Sequence, residues 1–354
     1  MLEHICERNV WDTIRESPLP VVLYGMGDGA DRILDRLAHI GVTPAAVFAS
    51  DEFVRGHSFR GYRVEKYSDI CARYPDFLII LAFAVRDRPT LDRIRQISRE
   101  HPLLAPDIPV AGDGLFTREF IREHDDAFDR AFALLADNTS REAYLDVLRY
   151  KVSGKTEYLF RCETPKEEVY QTILHLTQEE RIVDLGAYDG DTVREFLSAC
   201  GGPCRSICAW EPNPRNFKKL LRHTEGIPGV ECLELGAWDQ AERLPCPGRA
   251  GRNSQLGRGE QFVEADSVDN RITGPVTLLK MDIEGSESRA LEGAKRTIRT
   301  WLPKLYVCAY HRNEDMFQLP LQIHACAPQY RFFFRHHPYV PAWESNFYAG
   351  SPQI

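Results

Sequence analysis

Short runs of apolar and β-branched residues alternate with amphipathic stretches near both ends of the chain, and the alternation lapses in the middle. Val21–Tyr24, Ala45–Ala49 and Phe77–Val85 read as buried strands, and Asp31–Ile40 as a helix with Ile33, Leu34, Leu37 and Ile40 on one face. The apolar run ending at Val85 is about half as long as a membrane-crossing helix, so a strand is expected there. From 117 to 180 polar, helix-favouring sequence takes over, with helices expected over Asp129–Ala136 and Arg141–Tyr150. At Arg181 the βα alternation resumes. Strands are expected at Arg181–Ala187, Ser206–Glu211, Val230–Trp238, Val276–Glu284, Lys304–His311, Tyr330–His337 and Glu344–Tyr348. Helices are expected at Asp191–Ala199, Pro214–His223, Ser286–Thr300 and Glu314–Ala325. The last two strands are too close for a helix between them and should pair as an antiparallel hairpin. The pattern predicts an α/β protein in three parts: a smaller Rossmann-like unit over 1–116, a helical connector over 117–180, and a unit with a seven-stranded, mostly parallel sheet over 181–354. Leu244–Glu260, rich in Gly, Pro and Arg, reads as a surface loop.

Composition narrows the class. With 43% hydrophobic and 27% charged residues the chain should fold as an ordinary globular protein. Its net charge of −8 leaves no basic field for a nucleic-acid backbone. The residues Met1–Arg8 lack the apolar stretch of a signal peptide and the ten cysteines are scattered, which predicts a reduced, cytoplasmic protein with no membrane insertion.

Each α/β part opens with a glycine-rich turn after its first strand, a place where a cofactor can approach the backbone. The second turn, Asp184-Leu-Gly-Ala-Tyr-Asp-Gly-Asp191, sets three carboxylates where a dinucleotide would put its pyrophosphate. At an effective dielectric near 20, two unit charges about 5 Å apart interact by roughly 3 kcal/mol, about two decades in a binding constant. A cationic ligand is favoured instead, and S-adenosylmethionine carries an ammonium and a sulfonium but no phosphate. Glu211, at the end of the next strand, stands where a carboxylate accepts hydrogen bonds from both ribose hydroxyls. Cys200, Cys204 and Cys208 do not have the ligand spacing of a radical-type iron–sulfur site.

Five segments, Asp184–Thr192, Trp210–Pro214, Gly236–Asp239, Leu279–Glu287 and Ala290–Ala294, together resemble the FkbM-type S-adenosylmethionine-dependent methyltransferases over about residues 180 to 350. Tyr310-His311 and Arg335-His336-His337 are similar to the family's tail. The resemblance implies a class I methyltransferase fold and methyl transfer, usually to a hydroxyl of a sugar, glycolipid or secondary metabolite. It implies a cofactor set of Asp184, Gly186, Ala187, Tyr188, Asp191, Glu211 and Pro212. It also implies that Ala237, Trp238 and Asp239 lie near the adenine, with Trp238 as a stacking face and Asp239 as an acceptor for the adenine amine.

Methyl transfer to a hydroxyl needs a positioned base. Asp282 and Glu284 are two apart on an extended strand end, so they point the same way, and Gly285 permits a sharp turn after them. Asp282 is the expected acceptor-side carboxylate, oriented by Glu284. His311, ending the neighbouring strand, is the expected proton acceptor by its near-neutral pKa. His336 and His337 are weaker candidates. Lys280 either neutralises Asp282 or packs its stem. Oxygen-rich ligands suit magnesium or manganese, so a divalent metal held by Asp282, Glu284 and a histidine is conceivable. Two acids and a distant histidine are too few ligands to assert one, and no metal ligand is assigned. Asn253 and Ser254 are candidate hydrogen-bonding residues or plain loop.

The first turn, Gly25-Met-Gly-Asp-Gly-Ala30, has the G-x-G-x-x-A form, with Gly25, Gly27 and Asp51 as candidate ligand residues. Asp28 and Asp31 oppose a phosphate there, and no constellation for hydride transfer accompanies them. Through Gly25-Met-Gly, Gly56 and Gly61-Tyr-Arg-Val64 the segment resembles sugar-nucleotide-binding modules, which implies a nucleotide-linked or sugar ligand; a ligand-free structural unit is the alternative. The expected partner is a small-molecule or glycan acceptor. An NAD-dependent oxidoreductase acting on a nucleotide sugar and a non-catalytic ligand-binding protein are the competing functions.

Overall fold

Apolar runs without alternation belong in sheets covered on both faces, and the first sheet obeys this. A computed structural model describes every residue except 113, 247–256, 258, 260 and 352–354. Its first sheet contains β1 (Val21–Tyr24), β2 (Ala46–Ala49), β3 (Ser58–Phe59), β4 (Tyr62–Lys66), β5 (Leu78–Leu81) and β6 (Leu103–Leu104), in the order β3-β4-β2-β1-β5-β6. All pairings but β3 with β4 are parallel. Helix α1 (Asp28–His39) lays Ala30, Ile33, Leu34 and Leu37 against the sheet. The ladder ends at Leu81. Four residues later Val85 instead exchanges two backbone hydrogen bonds with Val340, of 2.8 and 3.0 Å, tying the end of this sheet to the far end of the chain.

The helical stretch is a packed layer. In α2 (Asn138–Ser153), Ser140 Oγ accepts from the Phe334 amide and from Arg335, and Tyr144 donates to the Met316 carbonyl. The amino-terminal ammonium pairs with Asp125 and Asp129 on the preceding helix. One hydrophobic core runs from Val22 and Ile79 through Tyr144 and Leu148 to Leu279 and Val307.

The larger sheet is built from β7 (Arg181–Leu185), β8 (Ser206–Trp210), β9 (Val230–Leu233), β13 (Leu278–Met281), β14 (Lys304–Cys308), β15 (Arg331–His336) and β16 (Ser345–Gly350), in the order β15-β16-β14-β13-β7-β8-β9. The five strands β14-β13-β7-β8-β9 are parallel, while β16 runs antiparallel to both neighbours, as the hairpin required. Helices α3 (Asp191–Ala199), α4 (Pro214–Thr224) and α5 (Asp315–Cys326) follow β7, β8 and β14. Asn213 caps α4 by accepting from the amides of Arg215 and Asn216.

Three expectations change. The stretch Val230–Trp238 is not one strand. After β9 the chain steps into β10 (Gly236–Ala237), which joins a separate sheet with β11 (Glu242–Cys246) and β12 (Gln261–Asp266). The loop expected from Leu244 therefore begins inside a strand whose alternation, Leu244 and Cys246 buried, is masked by Pro245. Asn253 and Ser254 lie outside the described residues. The helix expected over Ser286–Thr300 is split into 287–292 and 295–301 around Gly293, where a Cβ would stand 2.1 Å from the Trp238 carbonyl oxygen. No described helix is long and apolar enough to cross a membrane.

Candidate active site

At the end of β7 the chain must turn sharply under a neighbouring strand, and only glycine fits. Gly186 has φ +79°, and a Cβ there would stand 1.9 Å from the Asp282 carbonyl oxygen. The amides of Gly186 and Ala187 both donate to the Trp210 carbonyl, at 3.0 and 2.9 Å, which holds the turn against the end of β8. Beneath it Asp184 and Lys280 are register partners on β7 and β13 and form an ion pair of 2.9 Å. Lys280 also donates to the Gly186 carbonyl, and Thr192 donates to Asp184. Burial opposes the Lys280 cation, but Asp184 and Asp282 outweigh it and raise its pKa. Lys280 thus has Asp184 as its direct partner, and one of the three carboxylates expected to repel phosphate is already neutralised.

Glu211 follows β8 and is 5% exposed. Its two oxygens accept from the Tyr188 amide at 3.0 Å and the Asn213 amide at 2.9 Å. Burial pushes its carboxyl up to about 7. Hydroxyl donors favour the ionised form, so binding of a ribose-bearing ligand should strengthen as pH rises through 7. With that carboxyl half-ionised near pH 7, such a ligand should bind about tenfold more weakly at pH 6 than at pH 8. Calorimetric titrations at both values check this, and Glu211→Gln should flatten the dependence.

These residues border a cleft of about 1130 Å³, part of it open to solvent, at the carboxyl ends of the parallel strands. Gly186, Tyr188, Asp191, Glu211, Pro212 and Ala237 line it. Asp184 and Ala187 are buried behind it. Trp238 and Asp239 do not line it. The guanidinium of Arg289 lies 5.4 Å from the Trp238 ring centroid and 2.6 Å from an Asp239 oxygen. Sequence reasoning missed Asn216 and Leu235, Lys166 from the helical layer, Arg86 and Val110 from the first unit, and Tyr339, Trp343 and Glu344 from the final hairpin. None of these lies in a recognisable motif; tertiary packing alone brings them here.

On the opposite wall Asp282, Glu284 and His311 come together as expected. Asp282 Oδ1 accepts from the Tyr310 hydroxyl at 2.9 Å and lies 3.4 Å from His311 Nε2, which is 3.9 Å from Glu284. Glu284 and Gly285 both have positive φ, +56° and +92°, and carry the chain sharply off β13. The His311 Nδ1 atom is 2.8 Å from Glu287 Oε1, with both side chains at most 1% exposed. Burial disfavours the His311 cation, yet Glu287, Glu284 and Asp282 raise its pKa to about 10. His311 therefore carries its proton at neutral pH, which corrects the expectation of a near-neutral proton acceptor. Burial would raise the Asp282 carboxyl, but Lys280 and His311 hold it below the usual carboxylate range.

Glu287, His311 and Asp315 present donor atoms within 4.8 Å of one another, a spacing that could hold a cation. The imidazolium already supplies positive charge there, and Asp315 is pushed up to about 8 by burial and by Glu287. His336 and His337 are buried and held neutral, at about 3 and about 4, chiefly by desolvation. His337 bridges the Thr164 carbonyl and the Tyr348 hydroxyl, and His336 touches Ser345 and the Tyr339 carbonyl, so both knit the hairpin.

In the first unit, a Cβ on Gly25 would stand 2.8 Å from Phe83 Cδ1, so close packing explains that glycine. Gly27 borders a cavity of about 940 Å³ walled by Phe83 and Trp343. Asp51 is exposed and borders a different cavity, beside Tyr24 and Arg93. The structure does not bring the two ends of this fingerprint to one cavity. Cys208 accepts a hydrogen bond from the Trp210 indole rather than converging with Cys200 and Cys204.

Residues 184–341 match the model of the methyltransferase FkbM domain. The whole fold, first unit and helical layer included, is similar to the crystal structure of methyltransferase FkbM from Methylobacillus flagellatus KT. That likeness has a TM-score of 0.73 at 22% identity and covers 98% of this chain and 92% of that one. A weaker likeness, with TM-score 0.37 and 12% identity, links 53% of this chain to 97% of an rRNA methylase from Streptococcus thermophilus. Another, with TM-score 0.33 and 13% identity, links 49% of it to 67% of Aeropyrum pernix fibrillarin in complex with S-adenosyl-L-methionine. No curated protein matches the chain in sequence.

Proposed function

We propose, from a chain that carries a methyltransferase FkbM domain at residues 184–341, that it is an S-adenosylmethionine-dependent enzyme of the class I fold that methylates a hydroxyl of a sugar, glycan precursor or secondary metabolite. The observation that carries this reading is Glu211. It is a buried carboxylate at the edge of the cleft, fixed by two backbone amides beside a turn that admits nothing larger than glycine. Such a group has lone pairs left for two vicinal hydroxyls. Asp191, also on the cleft wall and without an ion pair among the described residues, suits a ligand that bears positive charge.

When bound, S-adenosylmethionine supplies a methyl group on a positively charged sulfur. The chain's own task is then to hold the acceptor and take up its proton. The Tyr310 hydroxyl and the His311 imidazolium both engage Asp282 Oδ1, leaving Oδ2 without a partner among the described residues. That oxygen orients the acceptor hydroxyl and receives its proton as the oxygen is methylated. His311 keeps its own proton and fixes the carboxylate electrostatically. A cytoplasmic location and a small-molecule or glycan acceptor belong to the same reading, and the first unit's cavity is the place for a nucleotide-linked or sugar portion.

Thermal shift with S-adenosylmethionine, S-adenosylhomocysteine, NAD and a nucleotide sugar tests the reading. The sulfonium donor and its product should each stabilise the protein, by about 2.7 kcal/mol at a hundredfold excess over the dissociation constant. Stabilisation by NAD alone would favour the oxidoreductase, and by a nucleotide sugar alone a non-catalytic binding protein.

A further inference from the structure

The methyltransferase domain does not wall its cleft alone. The two hydrogen bonds between Val85 and Val340 clamp the first unit to the final hairpin, and Arg86 is the next residue. On its other side Asp87 accepts from the Thr90 amide at 3.0 Å and caps the helix Arg88–Glu100. The backbone that presents Arg86 is thus pinned before and after it. Arg86 is exposed and lines the cleft with Asp282, Tyr310 and Trp343.

The other cations on that wall are engaged. Lys280 is paired with Asp184 at 2.9 Å, Lys166 with Glu344 at 3.2 Å and Glu195 at 3.6 Å, and His311 with Glu287 at 2.8 Å. Arg86 has no ion pair or hydrogen bond among the described residues. Its neighbour Arg88, in contrast, pairs with Asp92. A guanidinium offers five donors in a rigid fork that matches carboxylate and phosphate oxygens. A free one, held on a fixed backbone in a cleft otherwise rich in carboxylates, favours an anionic group over a cationic one at that point.

We propose that Arg86 anchors the methyl acceptor through a carboxylate or phosphate, so that the acceptor is an anionic molecule whose hydroxyl is presented to Asp282. The inference rests on the methyl-transfer reading and adds the acceptor's charge to it. The acids near Gly186 and Glu211 serve the positively charged donor, and the first unit contributes Arg86, a cation with no ion pair or hydrogen bond among the described residues.

The test uses the full-length chain, loaded with S-adenosylhomocysteine, and three probes: glucose 6-phosphate, glucuronate and glucose. The two anions should raise the melting temperature at millimolar concentration and glucose should not. Arg86→Ala should weaken binding of the anions at least tenfold and Arg86→Lys should restore part of it, while affinity for S-adenosylhomocysteine stays within twofold. The proposal is overturned if glucose binds as well as its phosphate or if no anionic probe binds. It is equally overturned if Arg86→Ala lowers S-adenosylhomocysteine affinity tenfold and leaves the anions unaffected, which would assign Arg86 to the donor's own carboxylate. If S-adenosylhomocysteine fails to bind the wild type, the methyl-transfer reading fails, and anion binding by the unloaded protein still decides whether Arg86 is an anion site.

Discussion

Lys280→Met should lower the stability of the whole chain by about 3–5 kcal/mol, because it strands the Asp184 carboxylate inside the sheet. The two side chains are 1% and 0% exposed and sit opposite each other on adjacent strands, so water cannot replace the lost ammonium without prising β7 from β13. Thr192 is the remaining side-chain donor to Asp184, and the Gly186 carbonyl loses a donor at the same stroke. Replacing both partners, Asp184→Leu with Lys280→Met, should recover most of the loss, since an apolar pair of similar volume substitutes well for a buried ion pair. Urea denaturation midpoints of the two variants and the wild type measure the difference. A single-variant loss below about 1 kcal/mol would show that the pair is better hydrated than its burial implies.

Asp282→Asn should reduce the rate of methyl transfer by about 10²–10⁴-fold at saturating donor, with little change in donor affinity, because it removes the proton acceptor and leaves the Glu211 side of the cleft untouched. The pH profile separates Asp282 from His311. Asp282 is held ionised below the usual carboxylate range, and His311 stays protonated up to about 10. The wild-type rate at saturating donor should therefore be flat between pH 6 and 9. A rise of one decade per unit through the ordinary imidazole range would return the proton-acceptor role to His311. His311→Gln should tilt the profile, since losing the adjacent cation lets the Asp282 carboxyl rise.

Much of this was legible in the chain because local pattern and tertiary context agree. The strand Val21–Tyr24 and the helix Asp191–Ala199 match their expected bounds, the first as a buried apolar run and the second because a glycine turn and an aspartate mark its start. The place of Glu211 and Gly186 at the cleft could be read because an acid and a glycine each end an apolar strand. What failed depends on pairing across distance. Apolar content runs on past Leu233, but the strand does not, because Gly236 and Ala237 pair with β12 instead of β8. The Lys280–Asp184 pair is set by strand register, which periodicity does not specify. The charge of His311 depends on Glu287, which the turn at Glu284–Gly285 folds back toward it. Trp238 fits an adenine platform by type, yet its ring faces the guanidinium of Arg289, on the helix 287–292, and does not line the cleft.

The clasp between Val85 and Val340 is made of main chain, and the two valine side chains are buried in the core, so neither it nor its anchorage draws on the side chains that face the cleft. The neighbours of the clasp can diverge while the seam that brings them together persists. The side chains of residues 83–86 and 339–343 can thus vary while the backbone that carries them to the rims of two cavities keeps its course.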